Sequence, residues 1–401
     1  MTTKSLRLSF QQQIQAAFPL MMFGIMASGA MRGFSSPYLN SYLAERGFTG
    51  TLIGSLVSVA ALIELIAIPF LSAQANRHRA HRLLYRVVHL SYGLACLAMI
   101  LWPNPAVLIA AMLVANVSMK STFVYSMQLS FTRLEQVQRS LFGWVRSASA
   151  SGFMLSNLFA PLIFGVGHYV GLFGASFLAG LVSFGTSHAL PQSMQDKPDS
   201  GQPVKRTYKL YPVLAAEFFM TMGIRNAFTF WLLFFQNDLG VPPNLIPLIV
   251  TFSALLEIPF FILLERPLKQ GQAWFTYMLG GALFGIIWVL TGFAPNVWWL
   301  ILILIPRGLA FAMWNLSSLV LINQISHPRN VSSNQAIAQV TVPSVAILVS
   351  GAPMGWLYDH YPPQLFFAVC CLFLFIGSGI MLACNKMFRA APVPPAVSDP
   401  A

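Results

Sequence analysis

Residues 32–64 read RGFSSPYLNSYLAERGFTGTLIGSLVSVAALIE, and residues 225–257 read RNAFTFWLLFFQNDLGVPPNLIPLIVTFSALLE. Laid over one another at a constant offset of 193 residues, Arg32 meets Arg225, Leu39 meets Leu232, and Gly47 meets Gly240. Further along, Leu52-Ile53 meets Leu245-Ile246, Val57 meets Val250, Ala61-Leu62 meets Ala254-Leu255, and Glu64 meets Glu257. Two hydrophobic helices match by chance at Leu and Ala. They rarely match at an Arg and a Glu inside apolar segments without a gap, so the chain is read as an internal duplication.

The surrounding composition says what is duplicated. The 401 residues are 56% hydrophobic and 8% charged, against about 25% charged in soluble domains. A soluble chain so poor in charge would expose large apolar patches. Disorder is excluded by the apolar and aromatic content, and a disulfide framework by the four Cys. Segments of about 20 apolar residues suit membrane crossing. Twelve are expected, near 14–43, 51–74, 83–102, 105–128, 140–166, 170–190, 210–236, 244–264, 273–293, 296–321, 332–357 and 364–386. The first has no cleavage logic and is read as a span rather than a signal peptide.

The formal net charge of +12 is explained by topology. Connections after even-numbered spans, together with the two termini, hold 17 Lys and Arg; the opposite side holds Arg46, and five lie within spans. The positive-inside rule then places both termini in the cytoplasm of a multi-pass protein of the inner (plasma) membrane. No basic run alternates with aromatics outside the lipid, so no nucleic-acid partner is expected. Residues 191–209 are polar and contain Pro and Gly, as a linker would. The expected organisation is a first six-helix half over 1–190, the linker over 191–209, a second half over 210–390, and a disordered tail over 391–401.

Two pseudo-symmetric six-helix bundles in an all-α polytopic chain resemble the major facilitator superfamily. That family carries Gly-x-x-x-Asp-Arg-x-Gly-Arg-Arg between spans two and three; here Ser72 stands for the Gly and Asn76 for the Asp, followed by Arg77, Arg79 and Arg82. The resemblance implies a cytoplasmic latch around Asn76, Arg77 and Arg139. At span five, Ser156-x-x-x-Ala160-Pro161-x-x-Phe164-Gly165 is similar to the family's Gly-x-x-x-Gly-Pro-x-x-Gly-Gly, and span eleven repeats it loosely at Gly351-Ala352-Pro353. The resemblance also implies that spans one, four, seven and ten line a central cavity. Arg32, Lys120, Arg225 and Arg307 would then face it or lie beside it.

An ionisable residue at bilayer depth costs several kcal/mol, about 2.5–3.5 on insertion scales, and is a functional candidate by default. Arg32 lies 15 residues before Gly47 and Glu64 lies 17 after it. At about 1.5 Å rise per residue the two sit at similar depth. Arg225 and Glu257 repeat this around Gly240, so two Arg–Glu pairs are expected. They are either neutralised bridges or proton-coupling groups. Lys120 and Arg307 fall midway along their spans, whereas Glu217 and Arg146 lie near span ends and read as interfacial or latch residues. His89 shows no partner. Tyr38, Asn116, Asn226, Trp231, Trp314 and Asn315 are cavity candidates, able to bond hydroxyls or stack on rings. The surplus of cations favours a substrate bearing carboxylate, phosphate or many hydroxyls.

A Walker phosphate loop is missing from the sequence, as is a paired-His or paired-Asp catalytic motif. The expectation is therefore a proton-coupled secondary transporter of a small organic solute, acting as a monomer in the lipid bilayer without cofactor or metal. Efflux of amphiphiles by proton antiport, and a non-transporting sensor on the same fold, are the alternatives.

Overall fold

The structure is a computed structural model and describes residues 3–135, 142–192, 208–327 and 330–389. In the first half, helix α1 (Thr3–Ser35) stops at the Ser36-Pro37 step. Proline has no N–H to donate and disfavours the helical region for the residue before it. A short helix, α2 (Leu39–Glu45), completes the expected first span, and α3 (Gly50–His78), α4 (His81–Leu101) and α5 (Pro105–Glu135) follow. Expected spans five and six form one helical run, α6 (Phe142–Thr186), interrupted at His168 with φ 47° and ψ −143°. The break falls inside the Gly167-His168-Tyr169 connection expected between two spans.

The second half comprises α7 (Leu210–Asn237), α8 (Ile246–Lys269), α9 (Ala273–Gly292) and α10 (Val297–Ile325). It continues as α11 (Val331–Ala336), a π turn over Ile337–Thr341, α12 (Val342–His360), α13 (Pro363–Ala383) and α14 (Asn385–Arg389). Expected span eleven is thus α11, the π turn and α12 in succession. Asn296 starts α10 by accepting the Trp299 N–H at 3.1 Å.

Ten helical stretches among the described residues are long and apolar enough to cross a membrane. One of them, Ser147–Ala189, has 43 residues, about twice what a single crossing needs. With its two spans counted apart and α1 added, the twelve expected crossings are accounted for. Bulky apolar side chains stand outward from these helices, including Val166 at 93% exposure, Leu162 and Trp298. In lipid that exposure is solvation, not a defect.

The duplication reappears in the backbone. Gly47 after α2 has φ +85° and Gly240 after α7 has φ +64°, the left-handed conformation that L side chains resist. A Cβ on either would meet no atom within 4 Å, so conformation rather than crowding calls for glycine there.

The chain divides into two compact units: residues 1–49, 55–200 and 242–251, and residues 50–54, 201–241 and 252–401. In the first, α1 packs along α6, and α4 packs on α5 and α6. A Cβ on Gly29 would lie 2.1 Å from the Ser149 carbonyl oxygen, and one on Gly152 would lie 1.9 Å from that of Met26. Here the two backbones nearly touch. In the second unit, α9 packs on α10 and α13, and α7 on α12 and α13. Its interior is aromatic, with Trp288 stacked on Phe284 (5.6 Å) and on Phe367 (5.7 Å). Also in this unit, the Asp359 carboxylate accepts the Gly50 and Thr51 backbone N–H groups at 2.7 Å each and the Thr51 hydroxyl at 2.6 Å. It caps residues at the start of α3.

Candidate functional site

Two acids within the spans, Glu64 on α3 and Glu257 on α8, each find a cation two helices further along their own half. Glu64 on α3 is buried, its side chain 3% exposed, and pairs with the Lys120 ammonium of α5. Ser72 and Tyr125 join the same two helices by a hydroxyl–hydroxyl bond of 2.7 Å. Glu257 on α8 pairs with Arg307 on α10 at 3.6 Å. The Arg307 guanidinium also lies over the rings of Trp231 (4.8 Å) and Phe228 (5.3 Å) of α7. A desolvated cation on an aromatic face gains about 2 kcal/mol. These rings therefore help hold a charge that the surroundings cannot solvate. The halves thus carry equivalent acid–base pairs, and four of the candidate residues, Glu64, Lys120, Glu257 and Arg307, come together in them.

The pairing expected from the repeat assigned Glu64 to Arg32 and Glu257 to Arg225. The structure gives Lys120 and Arg307 those places. Arg32 donates from Nε to the Ser28 carbonyl at 3.2 Å and from one Nη to Ser149 Oγ at 2.7 Å, which ties α1 to α6. Arg225 is exposed on α7, and Glu217, eight residues back on the same helix, lies within its electrostatic reach.

The other candidates divide between packing and site. Tyr38 is fully buried in an aromatic cluster, stacked on Phe164 at 5.8 Å and edge-on to Tyr169. Asn116 donates to the Met112 carbonyl of its own helix at 2.9 Å. Asn226 donates to the Ser350 hydroxyl at 2.7 Å and so joins α7 to α12. Trp231 and Trp314 are buried beside Arg307 and Phe311 respectively, while Asn315 is half-buried on α10. Among the described residues no three His, Cys, Asp or Glu side chains gather as a metal-binding set.

A model of the MFS_1 like family matches residues 20–369. The chain belongs to that family. No curated protein matches it by sequence. Among solved structures, the nucleoside transporter NupG is similar over 92% of this chain and 99% of its own, with a TM-score of 0.73 and 15% identity. The human organic anion transporter MFSD10 matches over 92% and 99%, with a TM-score of 0.66 and 10% identity. A bacterial homolog of the human lysosomal transporter Spinster covers 96% and 99%, with a TM-score of 0.68 and 10% identity. Family and neighbours are transporters, not enzymes, so this MFS_1 like chain is a multi-pass membrane protein built for solute transport.

At the proposed latch, Asn76 accepts the His81 Nε2–H at 2.7 Å across the α3–α4 turn, and Arg77 is exposed in the last turn of α3. Arg139 lies outside the described residues. Glu217, read from the sequence as an interfacial or latch residue, is 1% exposed within the protein, and Tyr277 of α9 donates to it at 2.5 Å. His89 does have partners. Its Nδ1 meets the Tyr85 carbonyl at 2.8 Å and must be the donor there, which leaves Nε2 to accept from Ser28 Oγ at 2.7 Å in the neutral ring. Tyr277 and Ser28 lie about 60 residues from Glu217 and His89 in the sequence, so no local pattern signals either contact.

Proposed function

We propose that this protein moves a small organic solute across the cytoplasmic membrane by alternating access, with proton movement driving the cycle. Its two halves, 1–190 and 210–390, would be the moving parts, joined by 191–209, with both termini cytoplasmic and the monomer as the working unit. The observation that supports coupling is the duplicated acid–base pair, Lys120–Glu64 and Arg307–Glu257. A buried pair is neutral as it stands. Protonation of the acid releases the cation from it, and a released cation at that depth seeks a new anionic or polar partner.

The same logic supports the substrate class. Lys120 and Arg307 are the groups freed, so the solute is an organic anion or is rich in hydroxyls. The nucleoside and organic anion transporters among the structural neighbours carry solutes of these two kinds. The direct test is thermal stabilisation of the purified protein against a panel of carboxylates, phosphates, polyols, nucleosides and lipophilic cations. A ligand at about 100 times its Kd stabilises by about 2.7 kcal/mol. Stabilisation by anions or polyhydroxylated solutes is the expected result. A response confined to lipophilic cations would overturn this class and favour amphiphile efflux.

A further inference from the structure

The coupling pairs leave one intramembrane acid unused. Glu217 of α7 is 1% exposed and lies among three hydroxyl donors: Tyr277 of α9 at 2.5 Å, Ser318 of α10 at 3.4 Å and Thr221 of its own helix at 3.4 Å. The charged group in electrostatic reach is Arg225, exposed on the same helix; the titratable neighbour on α9 is Tyr277, and α10 adds Ser318 and the Trp314 indole beside the Tyr277 hydroxyl. Ser318 also accepts the Gln339 amide N–H at 3.0 Å, and Gln339 lies within the π turn that breaks span eleven. Extra residues of this kind inside helices concentrate at functional sites.

We propose that Glu217 is a second proton-binding site of the C-terminal half, and that its charge state is relayed through Ser318 and Gln339 to the π turn. The carboxylate takes one proton and becomes a neutral carboxylic acid, and Tyr277 keeps its own. While ionised, Glu217 can only accept, so Ser318 points its hydroxyl at it. Once protonated, Glu217 can donate, and Ser318 becomes an acceptor on both sides. The bond from Gln339 is then re-aimed, and with it the irregular turn. The part this plays in transport rests on the proton-coupled reading above; the binding of a proton at Glu217 does not.

The test uses the full-length protein in lipid nanodiscs and infrared difference spectra between acid and alkaline pH. The parent is expected to show a protonated-carboxyl C=O component that is lost in Glu217→Gln and displaced to higher frequency in Tyr277→Phe, where the strong donor is gone. Superimposable spectra of parent and Glu217→Gln would overturn the proposal. Should that variant fail to fold, an undisplaced band in Tyr277→Phe would overturn it equally. For the relay, hydrogen exchange of backbone amides over 337–341 should change with pH in the parent, beyond the intrinsic exchange rate, and not in Glu217→Gln. The same pH response in both would overturn the relay. Concentrative uptake that survives Glu64→Gln and Glu257→Gln would instead overturn the coupling reading and leave the Glu217 band in place.

Discussion

Lys120 neutralises a Glu64 side chain that is 3% exposed, so removing the cation takes an opposite charge away from a buried carboxylate. Breaking a fully buried pair from one side costs about 3–5 kcal/mol, and less where, as here, the lysine side chain is 34% exposed; removing both charges costs less than removing one. Lys120→Ala is therefore expected to lower thermal stability in detergent by more than Lys120→Ala combined with Glu64→Gln. Equal losses in a denaturation series would argue against the pair. Arg307 is held differently, by Glu257 on one side and by the rings of Trp231 and Phe228 on the other. Lysine keeps the charge but not the flat guanidinium that stacks on rings. Arg307→Lys should then fall between the parent and Arg307→Ala in melting temperature; a lysine variant equal to the parent would show that the stacking contributes nothing. The acids and cations themselves were legible in the sequence, because charge inside an apolar run is conspicuous. Their partners were not. Depth can be counted from the turns at Gly47 and Gly240, but the rotation of each helix about its axis decides which neighbour lies at that depth. Packing across the half sets that rotation.

At the scale of elements, the first half depends on the close approach of α1 and α6. Gly29 and Gly152 each admit a backbone carbonyl of the other helix where a Cβ would collide. Forcing extra carbons into so tight a contact typically costs 1–3 kcal/mol or more. Gly152→Leu should sharply reduce the yield of monodisperse protein, while Gly165→Ala, with no atom within 4 Å of its Cβ position, should not. The reverse order of yields would contradict the crossing. Helix existence was readable from hydropathy, since about 20 apolar residues leave few alternatives. Interruptions were read less evenly. The connection at Gly167-His168 is a real break, but the expected first span ran straight through Pro37, where α1 ends, and the π turn at Ile337–Thr341 has no Pro or Gly of its own and surfaces only in the structure. The cap that Asp359 places on Gly50 and Thr51 was equally hidden, because its partners lie about 300 residues away.

Over the whole molecule, duplication is the feature that sequence and structure share. It shows in the 193-residue offset, in the two left-handed glycines, and in an acid–base pair in each half. The fold was legible because the repeat, the run lengths and the one-sided basic loops all point to one architecture. The candidate site was legible in its charges and not in its connections, and the partners of Glu217 were not legible because nothing near it in the chain reveals the hydroxyls of α9 and α10. The central claim is that these paired acids carry the proton. The measurement that tests it follows the first solute found by thermal stabilisation into proteoliposomes, comparing pH-driven accumulation with counterflow exchange in the parent, Glu64→Gln and Glu257→Gln. The account predicts that at least one variant loses accumulation while retaining binding and counterflow. Accumulation at the parent's level in both variants would contradict it.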